Sequence, residues 1–196
     1  MGNEKPTYEE LEEQVRYLSE DRSFAMNALQ MAANLGHFES SGKVMDDPQL
    51  IMRETAVKLE SLLGFKALSF WLLNEETFSF VPTFCKPADS ETRFETEIDR
   101  LIENQTFAWA LQRSSISVVS SALETEQLLL HPLISISGAR GMFVGLLDQP
   151  LDQLPESLSV LLTIVLTSFS GMLESCTLNR QLSNVNLSLQ ENVAKM

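Results

Sequence analysis

The sequence is poor in the side chains that most enzymes and metal sites use. Its 196 residues include only two histidines, His37 and His131, and two cysteines, Cys85 and Cys176. The histidines are far apart, neither cysteine belongs to a CxxC pair, and no P-loop, GxGxxG or GxSxG motif is present. We therefore expect no metal site, no cofactor and no catalytic residue in this chain. The two thiols are expected to be small buried hydrophobes.

Basic residues and long apolar runs are also scarce. Lysine and arginine number 14 against 27 aspartates and glutamates, so the formal net charge is −13. Because nucleic-acid affinity depends mainly on Lys and Arg, we expect no nucleic-acid binding. The N-terminus has no apolar signal segment, and serines and threonines interrupt the most apolar stretch, 158–169, whereas a membrane span needs about 20 predominantly apolar residues. The sequence predicts a soluble cytoplasmic protein without membrane insertion.

Heptad patterns mark both ends of the chain. They predict coiled-coil helices over 1–39 and 174–196, on either side of a core at 40–173. Because a single helix of this kind is marginal in water, they also predict a homodimer through the terminal helices, with parallel arms. Asn192 at one seam position suits a helix that sets register. Arg22 occupies the one charged seam position of the first helix. The apolar seam residues are Tyr8, Leu11, Val15, Leu18, Ala25, Leu29 and Ala32 in the first helix and Leu178, Leu182, Val185, Leu189 and Met196 in the second.

The core mixes helical and strand periods, which predicts an α+β domain. Helices are predicted at 48–63, within 97–113 with Thr106 capping the second of two, and at 158–173. Strands are predicted at 67–73, 78–84, 116–121, 133–137 and 141–147, a polar loop at 86–94 and a helical turn at 123–130. The second strand should carry Phe78, Phe80, Pro82 and Phe84 on one face, and its proline implies an edge strand or a bulge. The 158–173 helix is apolar almost all round, so we expect it to lie between the sheet and a second subunit.

Aromatic residues from different elements of the core are candidates for one ligand pocket. The alternative is that most of them simply fill the core. Polar groups at strand ends would orient a ligand in such a pocket. The predicted ligand-binding residues are Phe70, Phe84, Trp109, Ser120, His131 and Phe143, and a structural role remains the alternative for His131 in particular.

Several strings resemble GAF domains, the small-molecule sensors of bacterial signalling proteins. They are FAWAL at 107–111, SISVVSS at 115–121, LHPLIS at 130–135 and RGMFVGLL at 140–147. The stretch LNRQLSNVNLSLQENV at 178–193 is similar to the signalling helix that leads to a PAS domain, histidine kinase or diguanylate cyclase. The resemblance implies a central antiparallel sheet of five or six strands with helices on both faces, the terminal helices on one face and a pocket on the other. Signatures for cyclic nucleotides, bilins and methionine sulfoxide are absent, so no ligand is named.

Three functions follow from these patterns. The first is a non-catalytic sensory and dimerisation module that binds a small molecule and relays the change through a coiled coil to an output domain. The second is a ligand-free structural dimerisation domain. The third is an enzyme that uses Cys85, with His131 as its partner, and it predicts a depressed thiol pKa.

Overall fold

The computed structural model describes residues 7–8, 11–13, 15–16, 47–74, 76–123 and 125–194, without the side chains of 184, 187–189 and 191–194. Residues 8, 11–13 and 15–16 are helical, as the first heptad stripe predicts. The rest of that stripe lies outside the described residues, and so do the seam side chains of Leu189, Asn192 and Met196. Pairing of either arm therefore stays a prediction.

The core is a five-stranded antiparallel sheet with helices on both faces, which confirms the predicted α+β class. The strand order is β2-β1-β5-β4-β3, and every pairing is antiparallel. The strands are β1 (Phe65–Asn74), β2 (Ser79–Lys86), β3 (Ser117–Ser120), β4 (Gln127–Ser135) and β5 (Gly138–Leu147). The helices are α1 (Pro48–Leu62), α2 (Glu91–Glu103), α3 (Thr106–Leu111) and α4 (Glu156–Ala194).

Each face of the sheet has its own hydrophobic cluster. One face packs against α1 and α4, and the other packs against α2 and α3. Side chains alternate between the two faces along a strand. Thus Phe70 of β1 lies on the α1/α4 face, while its neighbour Trp71 lies on the α2/α3 face. This division decides which residues can meet in a site.

Helix α1 begins and ends close to where the sequence predicts. The Asp47 side chain caps it by accepting a hydrogen bond from the Gln49 amide at 3.0 Å, and Pro48 occupies the first turn. Its buried stripe, which includes Met52, Ala56 and Leu59, packs on the sheet. The predicted helix at 48–63 is confirmed.

The β1–β2 hairpin forms as predicted, and β2 is an edge strand with a bulge. Phe70 pairs with Phe84 and Trp71 with Pro82, so the register skips one residue of β2. An extra residue reverses the alternation beyond it. Phe80 therefore packs on the α2/α3 face and Phe84 on the α1/α4 face. The prediction that these aromatics share one face is wrong, and Phe78, in the turn at φ 53°, is 81% exposed.

Two segments of the middle of the chain differ from the sequence predictions. The predicted polar loop at 86–94 contains a 3-10 turn, Ala88–Ser90, and the first turn of α2. Thr106 does not cap α3: Gln105 precedes the helix at φ 63°, and the Asn104 side chain accepts the Thr106 amide hydrogen at 3.0 Å.

The predicted helical turn at 123–130 is wrong, because β4 begins at Gln127. Leu128, Leu129 and Leu130 are buried on alternate faces of the sheet, and such a short apolar run has no period that separates strand from helix. The hairpin that follows is confirmed, with Gly138 at φ 117° as the first residue of β5, directly after the turn. His131 lies inside β4 rather than at its entrance.

Helix α4 is continuous for 39 residues and passes the predicted boundary at 173–174 without a break. Its inner side packs in the α1/α4 cluster as far as Leu173 and Cys176, and the described side chains from Thr177 onward are exposed. Contrary to the sequence expectation, Glu156–Ser183 is long and apolar enough by length and composition to cross a membrane. In the most apolar 18 residues of that segment, 44% are buried in the domain. The core helix of a globular protein can be equally long and apolar.

Candidate functional site

The α2/α3 face of the sheet carries two polar atoms that are buried without a partner. Trp71 is 4% exposed and Ser117 is 6% exposed. Within the described part of the chain, neither the Trp71 Nε1 nor the Ser117 Oγ has a hydrogen-bond partner. Buried polar groups are normally paired, and an unpaired one costs about 1–3 kcal/mol. The ring nitrogens of His131, also buried and unpaired among the described residues, lie on the face that α1 and α4 cover, so the Trp71 and Ser117 atoms make the α2/α3 face the candidate site.

The surroundings of both atoms are apolar. Trp71 lies beside Met142 of β5, and Ser117 pairs with Leu130 of β4. Helices α2 and α3 close the face with Phe94, Ile98, Leu101, Phe107 and Ala110. An apolar surface with a few orienting polar atoms is the usual composition of a small-molecule site.

A buried carboxylate fastens α2 to the loop after β3. Glu97 accepts hydrogen bonds from the Ser121 hydroxyl, from the Ala122 amide at 2.9 Å and from the Arg100 guanidinium at 3.0 Å. Because these donors come from two elements, the carboxylate holds the β3–β4 loop against the helix. Glu97 is thus a structural tie at the edge of the candidate site.

A second carboxylate at the same edge pairs with two cations. Glu126 accepts hydrogen bonds from Lys66 of β1 at 3.0 Å and from Arg93 of α2. The bond from Lys66 contributes most, and with Arg93 it holds the pKa of Glu126 below its usual range. The loop between β3 and β4 is therefore tied at both ends.

Cys85 also lies on this face, where it donates its thiol to the Pro87 carbonyl oxygen at 3.3 Å. Burial, reinforced by Glu91 and Asp89, raises its pKa to about 11. A nucleophilic cysteine needs a lowered pKa. Cys85 therefore lacks the depressed thiol pKa that an enzyme using this cysteine would require. Its supposed partner, His131, lies on β4 with the residues of the opposite face. Among the described residues no cluster of metal-ligating side chains occurs.

Four of the six predicted ligand residues lie on the α1/α4 face. The Phe70 ring centroid is 5.8 Å from that of Phe84, 5.4 Å from that of Phe143 and 4.5 Å from that of Phe169 on α4, to which its ring is tilted by 35°. His131 pairs with Phe143 across β4 and β5 and is 3% exposed. Neither ring nitrogen has a partner among the described residues, and burial lowers the pKa of His131 to about 4.

The other two predicted residues lie elsewhere. Trp109 on α3 is 45% exposed, with the Arg113 guanidinium 4.6 Å from its ring centroid. Ser120 is exposed at the end of edge strand β3, where its carbonyl oxygen accepts a hydrogen bond from Arg100 at 2.7 Å. The six residues do not meet in one place, so their role in ligand binding stays a prediction.

The sequence analysis does not include Trp71 and Ser117 among the candidate ligand residues, although the strand patterns predict the positions of both. The alternation at 67–73 already places Trp71 opposite Phe70, and Ser117 lies inside the predicted strand at 116–121. What the sequence does not reveal is that their polar atoms have no partner, because pairing depends on the final packing.

A polar link joins the β4–β5 turn to α4. The Ser137 amide and hydroxyl donate to the Glu174 carboxylate, and Arg140 lies 3.5 Å from the same oxygen. The bond from Ser137 contributes most to lowering the pKa of Glu174. This link lies next to Leu173 and Cys176, where α4 leaves the core.

Comparison with known proteins identifies the fold. A scan against family models and a search of curated proteins give no match. Among solved structures, the chain resembles a GAF domain/HD domain protein of Geobacter sulfurreducens (12% identity, TM-score 0.53, 68% of this chain, 96% of that one). It also resembles a GAF domain of Synechocystis in its photoproduct state (14% identity, TM-score 0.55, 69% of this chain, 99% of that one). A third similar structure is the GAF domain of a two-component sensor histidine kinase from Bacillus halodurans (17% identity, TM-score 0.52, 68% of this chain, 98% of that one). The chain has the fold of GAF domains.

Proposed function

We propose that this chain is a sensory module that binds a small molecule between the sheet and α2/α3. The observation that carries the proposal is the pair of buried, unpaired polar atoms, Trp71 Nε1 and Ser117 Oγ, on an otherwise apolar face. A bound molecule that reaches either atom would give it a partner and relieve the cost of burying it alone. The photoproduct state of the Synechocystis neighbour supports a sensory role for this fold.

Helix α4 is the element that would relay the change. It packs on the α1/α4 face as far as Cys176, continues beyond the core, and is tied to the β4–β5 turn through Glu174. A ligand that shifts β4 and β5 would therefore also move the start of the exposed helix. Such a relay works only where the ligand binds the two arrangements unequally.

The exposed stripe of α4 is proposed to pair with the same stripe of a second copy. Leu178, Leu182 and Val185 follow one another at steps of four and three, Ile164 lies two heptads before Leu178, and all four are exposed in the single chain. Parallel pairing would place two output domains side by side. By likeness to the histidine kinase neighbour, we propose an output domain of the histidine kinase or diguanylate cyclase type, outside this chain, in the cytoplasm.

Light scattering on two matched variants tests the pairing. Leu182→Glu places a charge on the stripe, and we expect it to yield monomers. Ser183→Glu adds the same charge at a neighbouring exposed position and should leave the dimer intact. A dimer that survives Leu182→Glu would contradict pairing through α4.

A ligand-free dimerisation domain is the second candidate. It is favoured by the complete burial of the side chains on the α2/α3 face, such as Phe94 and Ile98. Native mass spectrometry, compared with the denatured mass, separates the two. A dimer with added mass supports the sensor. A dimer without added mass, even after incubation with cell extract and repurification, supports the ligand-free dimerisation domain.

A further inference from the structure

The polar and charged groups of the α2/α3 face limit the chemistry of what can bind there. Resting on the function proposed above, we infer that the ligand is an electrically neutral, largely apolar molecule with a hydrogen-bond acceptor facing Trp71 Nε1. Three properties of the site support this inference: the direction of its hydrogen bonds, its charges and its adaptability.

The indole nitrogen fixes the direction of the first hydrogen bond. Trp71 Nε1 is a donor only, so the ligand must present an acceptor such as a carbonyl, ether or ring nitrogen. The Ser117 hydroxyl can donate or accept and sets no such condition. A molecule without an acceptor would leave the indole N–H unpaired. It should therefore bind more weakly than a molecule of the same shape that accepts this hydrogen bond.

The charges at the rim of the site disfavour an ionic ligand. The basic side chains of α2 and the adjoining strand end already pair with carboxylates: Lys66 and Arg93 with Glu126, and Arg100 with Glu97. An anion would therefore bury its charge unpaired unless it displaced one of these carboxylates. Burying an unpaired charge is far more costly than burying a neutral polar group.

The surface between the two polar atoms is apolar and adaptable. Two strands, β5 and β4, separate Trp71 on β1 from Ser117 on β3, and the register sets Ser117 two residues away along β4, so their backbones lie roughly 16 Å apart. Val144, Leu130 and Met142 lie on this part of the sheet. Methionine repacks easily, and α3 is only six residues long. A ligand can thus be accommodated beside Trp71 by rearranging Met142 and α3.

Three nearly isosteric probes test the inference by equilibrium dialysis of the full chain at 0.15 M salt. They are 2-acetonaphthone, which is neutral with one acceptor, 2-naphthoate, which is anionic, and 2-ethylnaphthalene, which has no acceptor. We expect 2-acetonaphthone to bind at least about tenfold more tightly than each of the others. This ranking uses the unmodified chain and does not depend on a variant that folds.

Two variants locate the discrimination. Trp71→Phe keeps an aromatic ring but removes the N–H, so the preference for 2-acetonaphthone over 2-ethylnaphthalene should fall to about threefold or less. Phe78→Tyr, at an aromatic residue of the β1–β2 turn that is 81% exposed, should leave the preference unchanged. A preference that persists in Trp71→Phe would show that the indole does not supply the donor and would overturn the inference.

The possible failures are distinguishable. Equal or tighter binding of 2-naphthoate, or of 2-ethylnaphthalene, overturns the ligand class while the site remains a binding site. If none of the three probes binds, the ligand class is overturned. The proposed function itself fails only where native mass spectrometry also shows no bound molecule.

Discussion

Acid should weaken this fold through one buried histidine. His131 lies in β4, paired with Phe143 on the α1/α4 face, and burial lowers its pKa to about 4 from an ordinary value of 6.5. The unfolded chain therefore binds the proton more tightly than the folded chain. Stability that is present above pH 6.5 is lost as the pH falls towards 4.

The size of the loss follows from the two pKa values. Between pH 7.5 and pH 4.5, linkage predicts that this one residue lowers the free energy of unfolding by about 2–3 kcal/mol. His131→Leu removes the titrating group and replaces two unpaired buried nitrogens with an apolar side chain of similar size. The variant should therefore be as stable as the wild type, or more stable, at pH 7.5.

Urea unfolding at pH 7.5, 6.0 and 4.5, at one protein concentration, measures the effect. Carboxylates titrate in both proteins, so the difference between wild type and His131→Leu isolates the histidine. The wild type should lose about 2–3 kcal/mol more than the variant. Equal losses in the two proteins would refute the reasoning.

Three further predictions concern other contacts. Glu97→Ala should lower the free energy of unfolding by about 2 kcal/mol or more in urea and speed amide exchange in the β3–β4 loop. Gly141→Ala should cost at least about 2 kcal/mol because its Cβ would overlap the Trp71 carbonyl oxygen, whereas Gly64→Ala, whose Cβ would meet only the Asp148 side chain at 3.4 Å, should change the free energy of unfolding by less than about 1 kcal/mol in the same assay. Iodoacetamide should modify Cys85 at pH 8 much more slowly than a free thiol.

Local signals carried most of the fold prediction. The helical spacing of Met52, Ala56 and Leu59 predicts α1, the alternation around Phe70 predicts β1, and Gly138 marks the last hairpin. These signals depend on neighbouring residues only, so they can be seen in the sequence. The sequence did not show that β4 begins before Leu128, because three consecutive leucines fit a central strand as well as a helix.

The candidate site was harder to predict because it depends on contacts between distant segments. Aromatic composition favoured Phe70 and Phe143, but strand alternation places both against α4. The bulge in β2 places Phe80 and Phe84 on opposite faces of the sheet. No residue type in this strand predicts where the bulge lies. That Trp71 and Ser117 lack partners emerges only when the whole sheet and its helices are assembled.

The central claim is that a small molecule binds beside Trp71, and nitrogen-15 NMR of the two tryptophan indole groups tests it most directly. Spectra are recorded with and without saturating 2-acetonaphthone, and Trp109→Phe assigns the signals. The Trp71 indole proton should move downfield as it gains an acceptor, and by more than the indole proton of exposed Trp109. A Trp71 signal that does not move at saturation would contradict binding beside Trp71.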